Sequence, residues 1–175
     1  FATSNHAVGF YPRRRKIGID APVRPDSRYG VSKAFGEALG AMYVYKHGLS
    51  VTNLRIGNVA DAPIDVRRLS IWLHPEDLVQ LIRIGLEHPD IRHEIFYGMS
   101  DNARGFWDNG NAFRFGYRPK YKAEDYRDAA YAAQDHAPAQ APRIRWPADG
   151  TKETGLRCER GVKSGRQHTN HGPGN

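Results

Sequence analysis

Three consecutive segments constrain the fold most: LSVTNLRIGN (49–58), HPEDLVQLIRIGLEHP (74–89) and IRHEIFYGMS (91–100). The first and third are rich in β-branched and aromatic residues, and Val51, Leu54 and Ile56 supply buried strand positions. The second reads as a helix. Pro75 suits its first turn, Glu76 and Asp77 suit its positive end, and Pro89 follows its exit. Strand, helix and strand in this order predict an α/β sheet, largely parallel.

A second helical pattern lies upstream. Asp26 or Ser27 can cap it, and Gly48 suits a left-handed stop. Val31, Ala34, Phe35, Ala38, Leu39 and Met42 recur at three- and four-residue spacing and predict an apolar face against the sheet. Phe1–Ser4 reads as the end of a strand, and YPRRRKIGIDAPVRPDS as a loop punctuated by Pro12, Pro22 and Pro25. Shorter helices are expected over 108–115 and 123–133. From about residue 135 the patterning stops. The Gly-, Pro- and Arg-rich tail lacks the large aliphatics needed to offset chain entropy and is expected to be disordered.

Composition narrows the function classes. Hydrophobic residues make up 39% and charged residues 26%, as in a globular chain. No apolar run approaches the ~18 residues of a membrane span. The opening FATSNHAVGF has neither a basic region nor a long apolar core, and no initiator methionine, so part of a longer protein is expected. One cysteine, Cys158, excludes an internal disulfide framework and fits the cytoplasm. More than half of the formal charge of +7 falls in residues 143–175, so the mildly basic body does not point to nucleic acid. The tail histidines His168 and His171 have no further ligands near them, and no metal is expected.

The chemistry-bearing stretch is SRYGVSKAFGE (27–37). Tyr29 and Lys33 are one turn apart on one helix face. A tyrosine hydroxyl ionises near 10 and is a poor base at neutral pH, whereas a nearby ammonium favours the phenolate. The pair is a physically sensible general base. Ser4 stands at a strand end, where open α/β sheets place their ligands.

Together TSNHAVGFYP, RPDSRYGVSKAFGE, LRIGN and GFWDN resemble the extended short-chain dehydrogenase/reductases, the NAD-dependent epimerase/dehydratase family, and within it the uronate dehydrogenase subgroup. The resemblance covers roughly residues 1–135. It implies a partial Rossmann-like fold, a doubly wound parallel sheet lacking its first strands. The domain so implied spans 1–142, with residues 143–175 as the tail. By resemblance Ser4, Tyr29 and Lys33 are catalytic, and Tyr29, Lys33 and Ile56 contact the cofactor, NAD or NADP. The substrate, a hexuronic acid, is implied to meet Ser4, Asn5, His6, Asn58 and Arg67. An arginine fork matches a carboxylate bidentately, and either Arg67 or Arg68 could face the pocket. Asn58 stands where the subgroup carries serine. The family also forms homo-oligomers. Two other readings share these features: a nucleotide-sugar epimerase or dehydratase, and an inactive truncated product.

The family's glycine-rich turn, which lets a backbone approach the pyrophosphate at a helix N-terminus, has no counterpart in this sequence. The 175-residue chain by itself is therefore expected to bind NAD more weakly than the submillimolar range, as read by calorimetry.

Overall fold

The computed structural model describes residues 1–135; the expected tail, with Cys158, His168 and His171, lies outside the described residues. Three parallel strands, β1 (Ala2–Ser4), β2 (Val51–Ile56) and β5 (His93–Gly98), form a sheet in the order β1-β2-β5. Helix α1 (Arg28–His47) connects β1 to β2. Beyond β2 lie two short strands, β3 (Asn58–Val59) and β4 (Trp72–Leu73), and then α2 (Pro75–Glu87) leads to β5. After β5 come α3 (Gly110–Arg114), a 3-10 turn (Ala123–Tyr126) and α4 (Arg127–Asp135).

The helix punctuation follows the expected chemistry. Ser27 caps α1, its Oγ accepting from the Gly30 amide at 3.0 Å, and Gly48 ends the helix at a φ of 70°. Pro75 opens α2, with Glu76 and Asp77 in its first turn. The short helices fall at 110–114 and 123–135. Sequence patterning gave no warning of β3 and β4, which pair in parallel through Asn58 with Trp72 and Val59 with Leu73. Two-residue strands carry no periodicity to detect.

The two long helices cover opposite faces of the sheet. Successive strand residues point to opposite sides. Glu37 of α1 reaches Thr3 and Arg55, and Gly40 lies against Val51. Gly85 of α2 lies against Thr52, and Leu81 joins Leu54 and Phe96 in the core. The sheet is thus doubly wound. Past β5, the Asn109 side chain accepts from the Tyr97 amide at 2.9 Å and donates to the Tyr97 carbonyl at 2.8 Å. It closes that sheet edge as a short strand would.

One expectation about α1 is overturned. Val31, Phe35, Leu39 and Met42 point away from the sheet, and Phe35 is 67% exposed. The buried residues of α1 are Gly30, Glu37 and Val44, with Ala34, Gly40 and Ala41 half-buried beside them. Small side chains allow the helix to approach closely, and the one large polar group among them is paired. Glu37 Oε1 accepts from Arg55 Nε at 3.0 Å and Oε2 from Nη2 at 2.8 Å. Thr3 Oγ1 donates to the same carboxylate at 2.8 Å. Arg55 Nη1 donates to the Tyr97 hydroxyl at 3.2 Å, which donates to the Gly18 carbonyl at 3.0 Å.

Burial opposes the Arg55 charge, but the hydrogen bonds and charge of Glu37 more than offset it, so the guanidinium holds its proton above the usual arginine range. Burial also pushes the Tyr97 hydroxyl up, against the pull of Arg55. Removing one partner of a buried pair leaves the other charged and unsolvated. Glu37→Ala is accordingly expected to cost about 3–5 kcal/mol in chemical denaturation, several times the effect of an exposed control such as Glu87→Ala.

Candidate active site

The carboxyl ends of β1 and β2 lie side by side, with Ser4 in register with Ile56 and Ile56 with Gly98. Ser4 is buried and caps the 3-10 turn Asn5–Val8: its Oγ accepts from the His6 amide and donates to Asn5 Oδ1, both at 3.2 Å. The strand thus delivers Ser4, Asn5 and His6 together to its exit.

Helix α1 brings Tyr29 and Lys33 to the same place. Its first turn is pressed onto the 3-10 turn: a Cβ on Gly30 would stand 2.4 Å from the His6 carbonyl oxygen. The His6 and Tyr29 rings meet edge to face at 5.7 Å. Lys33 Nζ donates to the Ala2 carbonyl at 2.8 Å and lies 5.4 Å from the centroid of the Tyr29 ring. Tyr29 is 52% exposed, open to a ligand from outside. Ser4, Asn5, His6, Tyr29, Lys33 and Ile56 therefore gather at one end of the sheet.

Asn58 and Arg67 sit on the neighbouring β3–β4 unit. Asn58 follows two residues after Ile56, and its buried Oδ1 has no hydrogen-bond partner. A buried acceptor left open at a strand exit fits a ligand that donates a hydrogen bond. Arg67 is half-buried and immediately precedes the 3-10 turn Arg68–Ser70. Arg68 is committed to Asp65, donating from its amide at 2.8 Å and pairing its Nη1 with Oδ2.

The residues in hand suit the nicotinamide end of a dinucleotide. An exposed phenol with an ammonium one turn away stands at strand exits, where β2 ends in the apolar Ile56. The GFWDN motif serves the framework instead. Trp107 is buried and stacks on Tyr97 at 5.4 Å, and Asn109 ties the edge of β5.

Sequence reasoning missed Glu37 and Arg55, and read Asp26 only as a cap. Glu37 lies one turn beyond Lys33, and a lone acid on a face of small residues was the available signal. Asp26 holds His6: Nδ1 lies 2.8 and 2.9 Å from the two carboxylate oxygens.

No family model matches the sequence. Over 144 residues the chain is 44% identical to the uronate dehydrogenase of Pseudomonas putida, covering 82% of this chain and 53% of that protein. This chain is a homologue of the uronate dehydrogenases. It spans about half the length of the curated relatives it matches. The crystal structure of uronate dehydrogenase from Agrobacterium tumefaciens matches with a TM-score of 0.72 at 38% identity, over 81% of this chain and 52% of that one. A tyrosine-to-alanine variant of that enzyme has been solved in complex with NAD. A UDP-glucuronic acid 4-epimerase from Bacillus cereus, at 15% identity and a TM-score of 0.57 over 77% of this chain and 60% of that one, shares the fold alone. The architecture is Rossmann-like, as the motifs implied. Among the described residues no helix is long and apolar enough to cross a membrane.

The fit between α1 and the Ser4–His6 turn leaves no room for a methyl group. Gly30→Ala is expected to lower stability by about 1–3 kcal/mol and to displace the His6 ring from Tyr29, read as shifts of both ring signals by NMR.

Proposed function

We propose that these residues form the catalytic and sugar-binding part of an NAD-dependent dehydrogenase that oxidises C1 of a hexuronic acid, glucuronate or galacturonate, to an aldarolactone. The observation that carries this reading is the meeting of Ser4, Tyr29 and Lys33 at one end of a parallel sheet in a homologue of uronate dehydrogenases.

Tyr29 takes the proton of the C1 hydroxyl. Lys33, one turn away, favours the phenolate by its charge and holds the nicotinamide ribose when the cofactor is bound. Ser4 Oγ hydrogen-bonds the reacting oxygen and stabilises charge as the C1 carbonyl forms. Ile56 provides an apolar contact beside Ser4. NAD, when bound, supplies the acceptor for the C1 hydride. Asn5, His6 and the open acceptor of Asn58 recognise sugar hydroxyls. Arg67 takes the uronate carboxylate, which a guanidinium fork can meet bidentately. The proposed compartment is the cytoplasm, with which a lone thiol is compatible.

The test uses the full product of the gene, with NADH formation followed by absorbance. Glucuronate or galacturonate is expected to be turned over and a UDP-sugar is not. Tyr29→Phe is expected to lower kcat by about 10²–10⁴-fold. Turnover of the UDP-sugar alone would overturn the substrate assignment, and undiminished activity of Tyr29→Phe would overturn the role of the base.

A further inference from the structure

We infer that Asp26 is a positioning residue: it fixes the His6 ring so that Nδ1 carries the proton and Nε2 is presented as an acceptor for a sugar hydroxyl. The second half of the inference rests on the dehydrogenase reading above; the first half rests on geometry alone.

Both Asp26 oxygens lie on the same ring nitrogen of His6, at 2.8 and 2.9 Å. A carboxylate can only accept at neutral pH, so Nδ1 must donate. In the neutral ring the lone pair then belongs to Nε2, on the opposite edge. Asp26 is itself held in place. Its Oδ1 accepts from Ser27 Oγ at 3.0 Å, and its amide donates to the His6 carbonyl at 3.3 Å. Its carboxylate occupies the space a side chain at Gly9 would need, since a Cβ there would stand 2.1 Å from Asp26 Oδ2. The ring also meets Tyr29, edge to face at 5.7 Å. His6 is 39% exposed at the side chain, so the braced ring remains open to a ligand.

This arrangement does more than tie two segments together. The backbone bond from the Asp26 amide to the His6 carbonyl already joins the 3-10 turn to the start of α1. The carboxylate adds orientation and proton placement. A neutral imidazole with its proton on Nε2 would donate to the sugar instead of accepting, and so would recognise a different pattern of hydroxyl groups.

The experiment is NMR of the full gene product labelled with ¹⁵N-histidine, followed toward alkaline pH until the spectrum itself reports a neutral ring, whose tautomer the ¹⁵N shifts then give. His6→Gln identifies the His6 signals. The expected result is an Nδ1–H ring whose Nε2 signal moves on titration with glucuronate. In Asp26→Ala the ring is expected to become a tautomer mixture, and glucuronate to bind roughly three- to tenfold more weakly, the loss of about one oriented hydrogen bond. Gly9→Ala, which displaces the carboxylate without removing it, is expected to do the same, and it serves where Asp26→Ala fails to fold.

An Nε2–H ring in the wild type, or an Nδ1–H ring that persists in both variants, overturns the inference. Turnover of glucuronate with no movement of Nε2 overturns it while leaving the dehydrogenase reading intact. An Nε2 response with no turnover of either uronate supports the inference and overturns that reading.

Discussion

The Glu37–Arg55 pair holds the described structure together. It is 5% and 2% exposed at its two residues, and it joins all three strands of the parallel sheet to α1. Through Thr3 it reaches β1, through Arg55 β2, through Tyr97 β5 and through Gly18 the loop that follows the Ser4–His6 turn. A buried ion pair is not in itself a source of large net stability, because both ions give up water. Its value here is specificity of placement. Two parallel hydrogen bonds fix both the distance and the rotation of α1 over the sheet, where a patch of aliphatic contacts would tolerate sliding.

That placement connects framework and chemistry. Tyr29, Lys33 and Glu37 are spaced four residues apart on α1, so one helix carries a proposed base, its electrostatic support and the anchor for both. The strands work in the same way. Ser4 ends β1 one residue beyond Thr3, and Ile56 ends β2 one residue beyond Arg55. At the ends of β1 and β2, the residue proposed to meet the ligand therefore stands next to one that belongs to or meets the buried pair. The loop after β1 completes the site from the other side, since Asp26 returns from its far end to hold His6.

The order of the long elements was legible because proline, glycine and capping residues mark the ends of α1 and α2. The chemistry of SRYGVSKAFGE was legible because Tyr29 and Lys33 are close in sequence as well as in space. The buried face of α1 was not. Counting apolar residues assigns Val31, Phe35, Leu39 and Met42 to the core, but a helix lined by glycine and alanine packs by close approach, and its only large inward group is an acid. Whether an acid is tolerable inside depends on an arginine 18 residues away, which no local pattern reveals. Val51 and Ile56 were expected as buried strand positions and are only half-buried, while Asn53 and Arg55 are fully enclosed. A parallel strand covered on both faces has no polar side to read. The tie between Asp26 and His6 spans 20 residues and was equally hidden.

The inward clamp at Glu37 sets how far any tilt of α1 would carry the phenol. Tyr29 and Glu37 are eight residues apart, about 12 Å along the axis at the usual helical rise. With the fulcrum at Glu37, a tilt of about five degrees would carry Tyr29 sideways by about 1 Å, more than the roughly 0.5 Å within which a catalytic group must be held. Such a tilt is opposed at the same end of the helix, where Gly30 is pressed onto the His6 carbonyl and Lys33 Nζ is bound to the Ala2 carbonyl, so the arm that carries the phenol is held near its tip as well as at Glu37.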